Sequence, residues 1–301
     1  MRFAICSAVY PEAPGFVSDF FAGVERAARG HPDTELIVAV EHGFEAFDAL
    51  ARDHAKRVPV RADHAPAPTT APGLRRRMLD AAATCAADIV VFADFDDRLE
   101  PEALGLHARA LAQAEISYGD MRLADADGAP LGRNFFDGAN IPVTVSGPSA
   151  LVERNFMGFG NSAVRRAALA RARLVVPDDA MPADWWVFSA LLANGLKARR
   201  AEAPVALYRC HANSTLGAMP SATAAMLRQR AIMALGHYDR LSGRVDVREA
   251  RRAVGHLVDF LDRDDRAWAT LAPALAGCPA VWFEDVARAS GAVANMTTNI
   301  H

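Results

Sequence analysis

Ile89-Val90-Val91-Phe92-Ala93-Asp94-Phe95-Asp96-Asp97 is an apolar run that ends in three carboxylates within four positions. Its apolar part is short, β-branched and aromatic, which suits a strand covered on both faces. In open α/β sheets ligands bind outside the carboxyl ends of the strands, so carboxylates placed there face a crevice. Three close carboxylates repel one another, and a divalent cation between them relieves that cost. One reading of the run is therefore a metal site that presents a phosphate-bearing ligand. The other is a solvated acidic turn that caps the next helix, whose first turn is expected at Pro101 and Glu102. The spacing alone leaves both open.

Outward from this run, strands and helices alternate. Towards the N-terminus, Phe3 to Val9 reads as a strand, followed by a turn at Pro11, Pro14 and Gly15 and a helix from Val17 to Ala28. Leu36 to Val40 is a second strand, closed by Glu41-His42-Gly43. Phe44 to His54 is helical, and Arg57 to Val60 is a third strand. Ala65 to Gly73 is a Pro/Thr-rich loop, expected as an ordered rim or a mobile flap. Leu74 to Ala86 is a helix that feeds the acidic strand. This order predicts a doubly wound, mainly parallel sheet.

Towards the C-terminus, Ile116 to Asp120 and Met121 to Leu123 read as strand, and Asp125-Ala126-Asp127-Gly128 as a hairpin turn. The glycines of Asn155-Phe156-Met157-Gly158-Phe159-Gly160-Asn161 allow close backbone approach to a ligand, though a structural turn explains them equally well. Ala183-Asp184-Trp185-Trp186 opens an apolar helix. Asp184 fits a first-turn acid, and neighbouring indoles point about 100° apart, so one can pack in the core while the other lines a sugar-binding cleft. Core packing of both is the alternative. Val205 to Tyr208 is the last strand, followed by Arg209-Cys210-His211-Ala212-Asn213. From Ser221 onward the apolar residues fall at helical spacing, as a helical annex packed on the sheet or, less simply, as a partner or membrane-surface face.

Composition narrows the function classes. The chain has 301 residues, a net charge of -3 and 51% apolar residues, which suits one large α/β domain with an annex and gives no nucleic-acid signature. Cys6, Cys85, Cys210 and Cys278 lie far apart, against zinc and against a disulfide framework. No signal-like segment opens the chain and no apolar run reaches spanning length, so a cytoplasmic protein is expected.

The order of these motifs resembles the family-two type of nucleotide-sugar glycosyltransferase, with the GT-A fold, from about Phe3 to Gly217. Phe92-Ala93-Asp94-Phe95-Asp96-Asp97 is similar to the family's DxD with its trailing acid. Tyr118-Gly119-Asp120 with Asp127-Gly128 looks like a frequent hairpin of these enzymes. Ala183-Asp184-Trp185 falls where the family carries its catalytic acid, and Tyr208 to Asn213 looks like its closing segment. Ala8-Val9-Tyr10-Pro11 keeps only the tyrosine of the usual first-strand ending, Glu41 replaces a base-reading aspartate, and Arg75, Arg76 and Arg77 crowd the place of an Arg-Asn pair.

The resemblance implies a GT-A-like domain over residues 1–217 and a helical subdomain over 218–301. It also implies an inverting enzyme that moves a sugar from a nucleotide-diphosphate donor, UDP being the expected nucleotide, to a sugar, glycan or lipid-linked acceptor. Asp184 would be the base, ionised at neutral pH by its place at a helix start. Tyr10, Glu41, Arg77, Asp94 and Asp96 would bind the donor, and Trp185, Trp186, Gly160 and Asn161 the acceptor. Asp96, Asp94 and His211 would hold Mn²⁺ or Mg²⁺. A lipid-linked acceptor would bring peripheral contact with the inner face of a membrane. The alternative is an inactive GT-A-like protein that binds a nucleotide or sugar. A haloacid-dehalogenase-type phosphatase fits less well because its motif lies near the N-terminus. A nucleotidyltransferase would need a Gly-rich phosphate loop where Tyr10-Pro11-Glu12-Ala13-Pro14-Gly15 stands.

Overall fold

A computed structural model describes residues 1–11, 14–211, 220–263 and 266–298. The first half contains β1 (Phe3–Val9), α1 (Val17–Ala27), β2 (Thr34–Val40), α2 (Phe47–His54), β3 (Val60–His64), α3 (Ala71–Thr84) and β4 (Ile89–Phe92). There follow β5 (Arg98–Leu99), α4 (Ala103–Leu111), β6 (Ile116–Tyr118), β7 (Met121–Ala124), β8 (Pro130–Asn134), β9 (Thr144–Val145), β10 (Ser162–Arg165), α5 (Arg166–Ala172) and α6 (Ala183–Ala193). Then come β11 (Ala198–Arg200), β12 (Ala206–Arg209), α7 (Ala224–Leu241), α8 (Arg248–Arg263), α9 (Ala267–Leu275) and α10 (Glu284–Thr298).

β1 and β4 are buried along their whole length because both sheet faces are covered. Side chains alternate between the faces: Ala4, Cys6, Ala8, Val90 and Phe92 join a core with α3, α6 and the C-terminal helices. Phe3, Ile5, Val9, Ile89 and Val91 join a second core with α1, α2 and α4.

The main sheet has the order β3-β2-β1-β4-β10-β6-β11-β9, and β5-β12-β7-β8 form a smaller one. β3, β2, β1 and β4 are mutually parallel, whereas β10 runs antiparallel to both of its neighbours. From β1 the chain first winds outward through β2 and β3 and then returns to place β4 on the other side of β1. The topological switch point, where such sheets open a crevice, therefore lies between β1 and β4. Tyr10 and the acidic cluster flank it.

Several expectations change at the element edges. The third strand lies at Val60–His64 rather than Arg57 to Val60, paired so that Val40 faces His64. Thr70 caps α3 by accepting from the Gly73 N–H at 3.1 Å, and Pro72 sits in the first turn, so the end of the Pro/Thr-rich segment is a helix start. β6 and β7 do not continue one another: the chain leaves the main sheet at Gly119-Asp120 and enters the small one, where β7 and β8 form the hairpin around Asp125. Helix α4 has no side-chain cap, so the acidic cluster is not its capping turn. Among the described residues no helix is long and apolar enough to cross a membrane.

Candidate active site

Tyr10 follows β1, Glu41 follows β2, His64 ends β3 and Asp94 lies two residues beyond β4, so all four stand at carboxyl ends of parallel strands. The small sheet brings a second set of groups to the same place. β12 ends at Arg209, whose backbone N–H donates to Asp97 Oδ1 at 2.8 Å. Its guanidinium donates to the Asp96 carbonyl at 3.0 Å and to Asp19 Oδ2 at 2.7 Å. His211 Nε2 then stands 2.8 Å from Asp96 Oδ2, with its ring 5.1 Å from that of Phe16. Ala212 and Asn213, the rest of the closing motif, lie outside the described residues.

The three carboxylates have different surroundings. Asp94 accepts from Arg75 Nη2 at 2.7 Å, yet burial holds its pKa above the ordinary value, Arg75 opposing and the nearby Asp96 charge adding to the rise. Asp97 is pushed further up, first by burial and then by Asp96 and Asp94, and its Oδ2 is buried without a hydrogen-bond partner among the described residues. Asp96 is the most open of the three, 35% exposed at its side chain.

A glycine turn joins this cluster to Asp184. A Cβ on Gly160 would stand 2.9 Å from Asp94 Oδ2 and 3.0 Å from Asp97 Oδ2. A Cβ on Gly158 would stand 3.0 Å from Asp184 Oδ2 and 2.7 Å from the Trp282 ring. All four distances are below ordinary contact, so the backbone passes between the carboxylates at these two positions only because neither Gly158 nor Gly160 carries a side chain. Between these glycines Phe159 carries the Arg75 guanidinium at 5.2 Å from its ring centre. Arg75 Nη1 is buried and has no hydrogen-bond partner among the described residues.

Asp184 does not have the fully ionised carboxylate expected of a helix start. Its pKa is pushed up to about 7, chiefly by burial and next by the Asp94 charge, against the Trp185 N–H, which donates to Asp184 Oδ1 at 2.7 Å, and Arg75. Desolvation outweighs the favourable helix end because that effect is worth only about 0.3–1 kcal/mol.

Other expected site residues have structural work instead. Trp185 is wholly buried, donates its Nε1–H to the Leu151 carbonyl at 2.6 Å, and lies stacked between His237 at 3.9 Å and Phe283 at 4.2 Å. Trp186 is buried too, so neither indole lines a cleft and the core-packing alternative holds for both. Asn161 is fully buried and spends its side chain on Gly158, Gly119 and Phe156 backbone groups, so it shapes the glycine turn rather than contacting an acceptor. Arg77 pairs with Asp63 at 2.5 Å beside His64, at the β3 side of the crevice, and it is Arg75 that meets Asp94. The spacing carries that signal: Arg75 precedes Met78, Leu79 and Ala82, the sheet-facing positions of α3, by three, four and seven residues. Nothing in the spacing pointed to Trp282, whose approach to Gly158 is a long-range contact.

Asp94, Asp96 and His211 do not form a closed metal shell. Among the described residues no group of three His, Cys, Asp or Glu side chains is placed to hold an ion by itself. The donor set nevertheless fits a hard divalent cation: it is rich in carboxylate oxygen, one oxygen of Asp97 is orphaned, and Asp96 is accessible.

Solved structures share this architecture. Residues 1–349 of TarS from S. aureus, in complex with UDP-GlcNAc, superpose over 99% of this chain and 92% of theirs with a TM-score of 0.59 at 9% identity. The mannosyltransferase PcManGT from Pyrobaculum calidifontis, in complex with GDP-Man and Mn²⁺, matches 99% of this chain and 79% of its own with a TM-score of 0.56 at 15% identity. The chain has the GT-A fold. No protein-family model matches the sequence, and no curated protein sequence matches it. At such identities the GT-A likeness speaks for architecture, and the chemistry has to be argued from the crevice itself.

Proposed function

We propose that the chain is a nucleotide-sugar glycosyltransferase. The observation that carries this is the glycine turn, which sets a carboxylate with a pKa of about 7 on one side and the Asp94/Asp96/Asp97 cluster with Arg75 on the other. TarS with UDP-GlcNAc and PcManGT with GDP-Man supply the matching ligand class on the same fold. A diphosphate leaving group develops negative charge, which the crevice answers with the unpartnered Arg75 Nη1 and a strand-end carboxylate set suited to a cation. Asp96 with Asp94 would hold Mn²⁺ or Mg²⁺, and the ion would supply Lewis-acid stabilisation of the diphosphate.

The chain's own groups supply the rest. Tyr10 and Glu41 border the donor site at the ends of β1 and β2, and Asp63 with Arg77 closes its β3 side. Asp184 accepts the acceptor hydroxyl's proton as the glycosidic bond forms, and a pKa near the working pH is what a general base needs. The Trp282 ring and the Asp184 carboxylate both border the Gly158 backbone. A single base facing the leaving group makes the transfer inverting. Incubation with UDP- and GDP-linked sugars, followed by proton NMR of the anomeric signal, tests this. Inverted product or hydrolysate made by the wild type and lost in Asp184→Asn is expected, and retained configuration removes the single-base mechanism.

A further inference from the structure

We infer that the cleft between the C-terminal end of α1 and the first turn of α4 is a second binding site, separate from the acidic crevice, for a small phosphate-bearing anion. The cleft has a volume of about 420 Å³, within the roughly 300–1,000 Å³ usual for small-molecule sites. Arg26, Arg29 and His31 line one side of it, and Glu102 and Arg109 stand on the other. Three guanidinium groups thus share one cleft with a single lining carboxylate, in a chain whose net charge is -3.

Elsewhere several exposed arginines find acids: Arg228 pairs with Asp262, Arg240 with Asp179 and Arg251 with Asp239. Arg26 and Arg29 make no ion pair among the described residues. Arg109 reaches Glu202 only at 3.8 Å, between side chains that are 59% and 80% exposed, a contact of little energetic weight. Arg109 and His31 both come near Gly105: a Cβ there would be in ordinary contact, 3.6 Å from Arg109 Nη1 and 3.9 Å from His31 Nε2. His31 is fixed in turn by an edge-on contact with Phe3, ring centres 4.9 Å apart. Favourable interaction with the carbonyl end of α1 accounts for Arg26 alone. It does not account for Arg29, beyond the helix, converging with Arg109 from another element. Like charges held around one cleft repel until an anion enters, and forked guanidinium donors match phosphate oxygens in pairs.

The cleft is remote from the crevice. His31 packs on the first residue of β1, and Tyr10 follows the last, a separation of roughly 20 Å for a strand of this length. The site therefore stands or falls independently of the donor chemistry.

Inorganic pyrophosphate, titrated calorimetrically into the full chain in metal-free, low-salt buffer, is the test, with Arg26→Glu/Arg29→Glu and Arg75→Gln as the variants and Arg109→Gln as a milder third. Binding by the wild type, weakened at least about tenfold in the double variant and in Arg109→Gln but kept in Arg75→Gln, is expected; a single cooperative melting transition in each variant checks its fold. Absence of pyrophosphate binding by the wild type overturns the inference, as does binding that is lost only in Arg75→Gln or that the Arg26→Glu/Arg29→Glu pair leaves unchanged when made in the Arg75→Gln background.

Discussion

Asp184 has a carboxylate whose burial beside Asp94 makes its ionisation costly, and that cost has two measurable signs. If it is the base, kcat/KM rises with pH through an apparent pKa of about 7, and Asp184→Asn loses roughly 10²–10⁴ in rate with this limb abolished. For stability the sign is reversed. The folded protein holds the Asp184 proton up to about 7, whereas the unfolded chain releases it near the ordinary carboxylate value of 3.8. Folding is therefore weakened by this group as pH rises between those values. Asp184→Asn should then raise the melting temperature at pH about 8 and change it little at pH about 4, in thermal scans at the two values. Arg75→Gln should cost about 1.5–3 kcal/mol in urea unfolding at neutral pH, because it removes a charged hydrogen bond from a largely buried carboxylate. At this scale the sequence was legible where chemistry clusters along the chain, as in Asp94 to Asp97. It misled at Asp184, whose charge state depends on neighbours far away in sequence, and at Trp185 and Asn161, whose polar atoms are satisfied by Leu151, Gly119 and other backbone groups that no local pattern reveals.

The glycine turn between Asn155 and Asn161 is the element on which the site depends. Gly158→Ala puts a Cβ 2.7 Å from the Trp282 ring and 3.0 Å from Asp184, and Gly160→Ala puts one between Asp94 and Asp97. Each should destabilise by about 1–3 kcal/mol, the usual cost of overpacking. Each should also depress activity more than a matched Ala substitution at Gly255, where a Cβ meets open space. Denaturant midpoints and single-turnover rates on the same variants measure both. The alternation of strands and helices was readable because buried parallel strands are continuous apolar runs and α1 and α3 carry apolar faces. The third strand lies later than the sequence suggests, because Val60–His64 is an edge strand with one neighbour and little apolar patterning. The crossing from β6 to β7 was hidden because Gly119 marks a change of sheet, which resembles an ordinary turn in sequence.

Across the whole molecule the C-terminal helices share one core with the sheet. Leu227, Tyr238, Leu257 and Phe283 belong to the same cluster as Phe92 and Trp185, and the buried Arg230–Asp285 pair at 2.6 Å holds Ser221 to α10. Residues 1–217 without the annex would expose the Trp185 stack on His237 and Phe283, so a fragment of that length should lack cooperative unfolding in calorimetry, whereas the full chain melts in one transition. The annex was visible in sequence as helices, but which faces it buried was not, since such contacts lie between residues many tens of positions apart. The most direct measurement on the central claim is a thermal-shift screen of UDP, GDP, dTDP and CMP, each with and without Mn²⁺, on the wild type and on Asp96→Ala. One diphosphate nucleotide should raise the melting temperature of the wild type in a metal-dependent way and leave Asp96→Ala unmoved. The absence of a shift with every nucleotide, or an equal shift in Asp96→Ala, would contradict a donor site built on the acidic strand end.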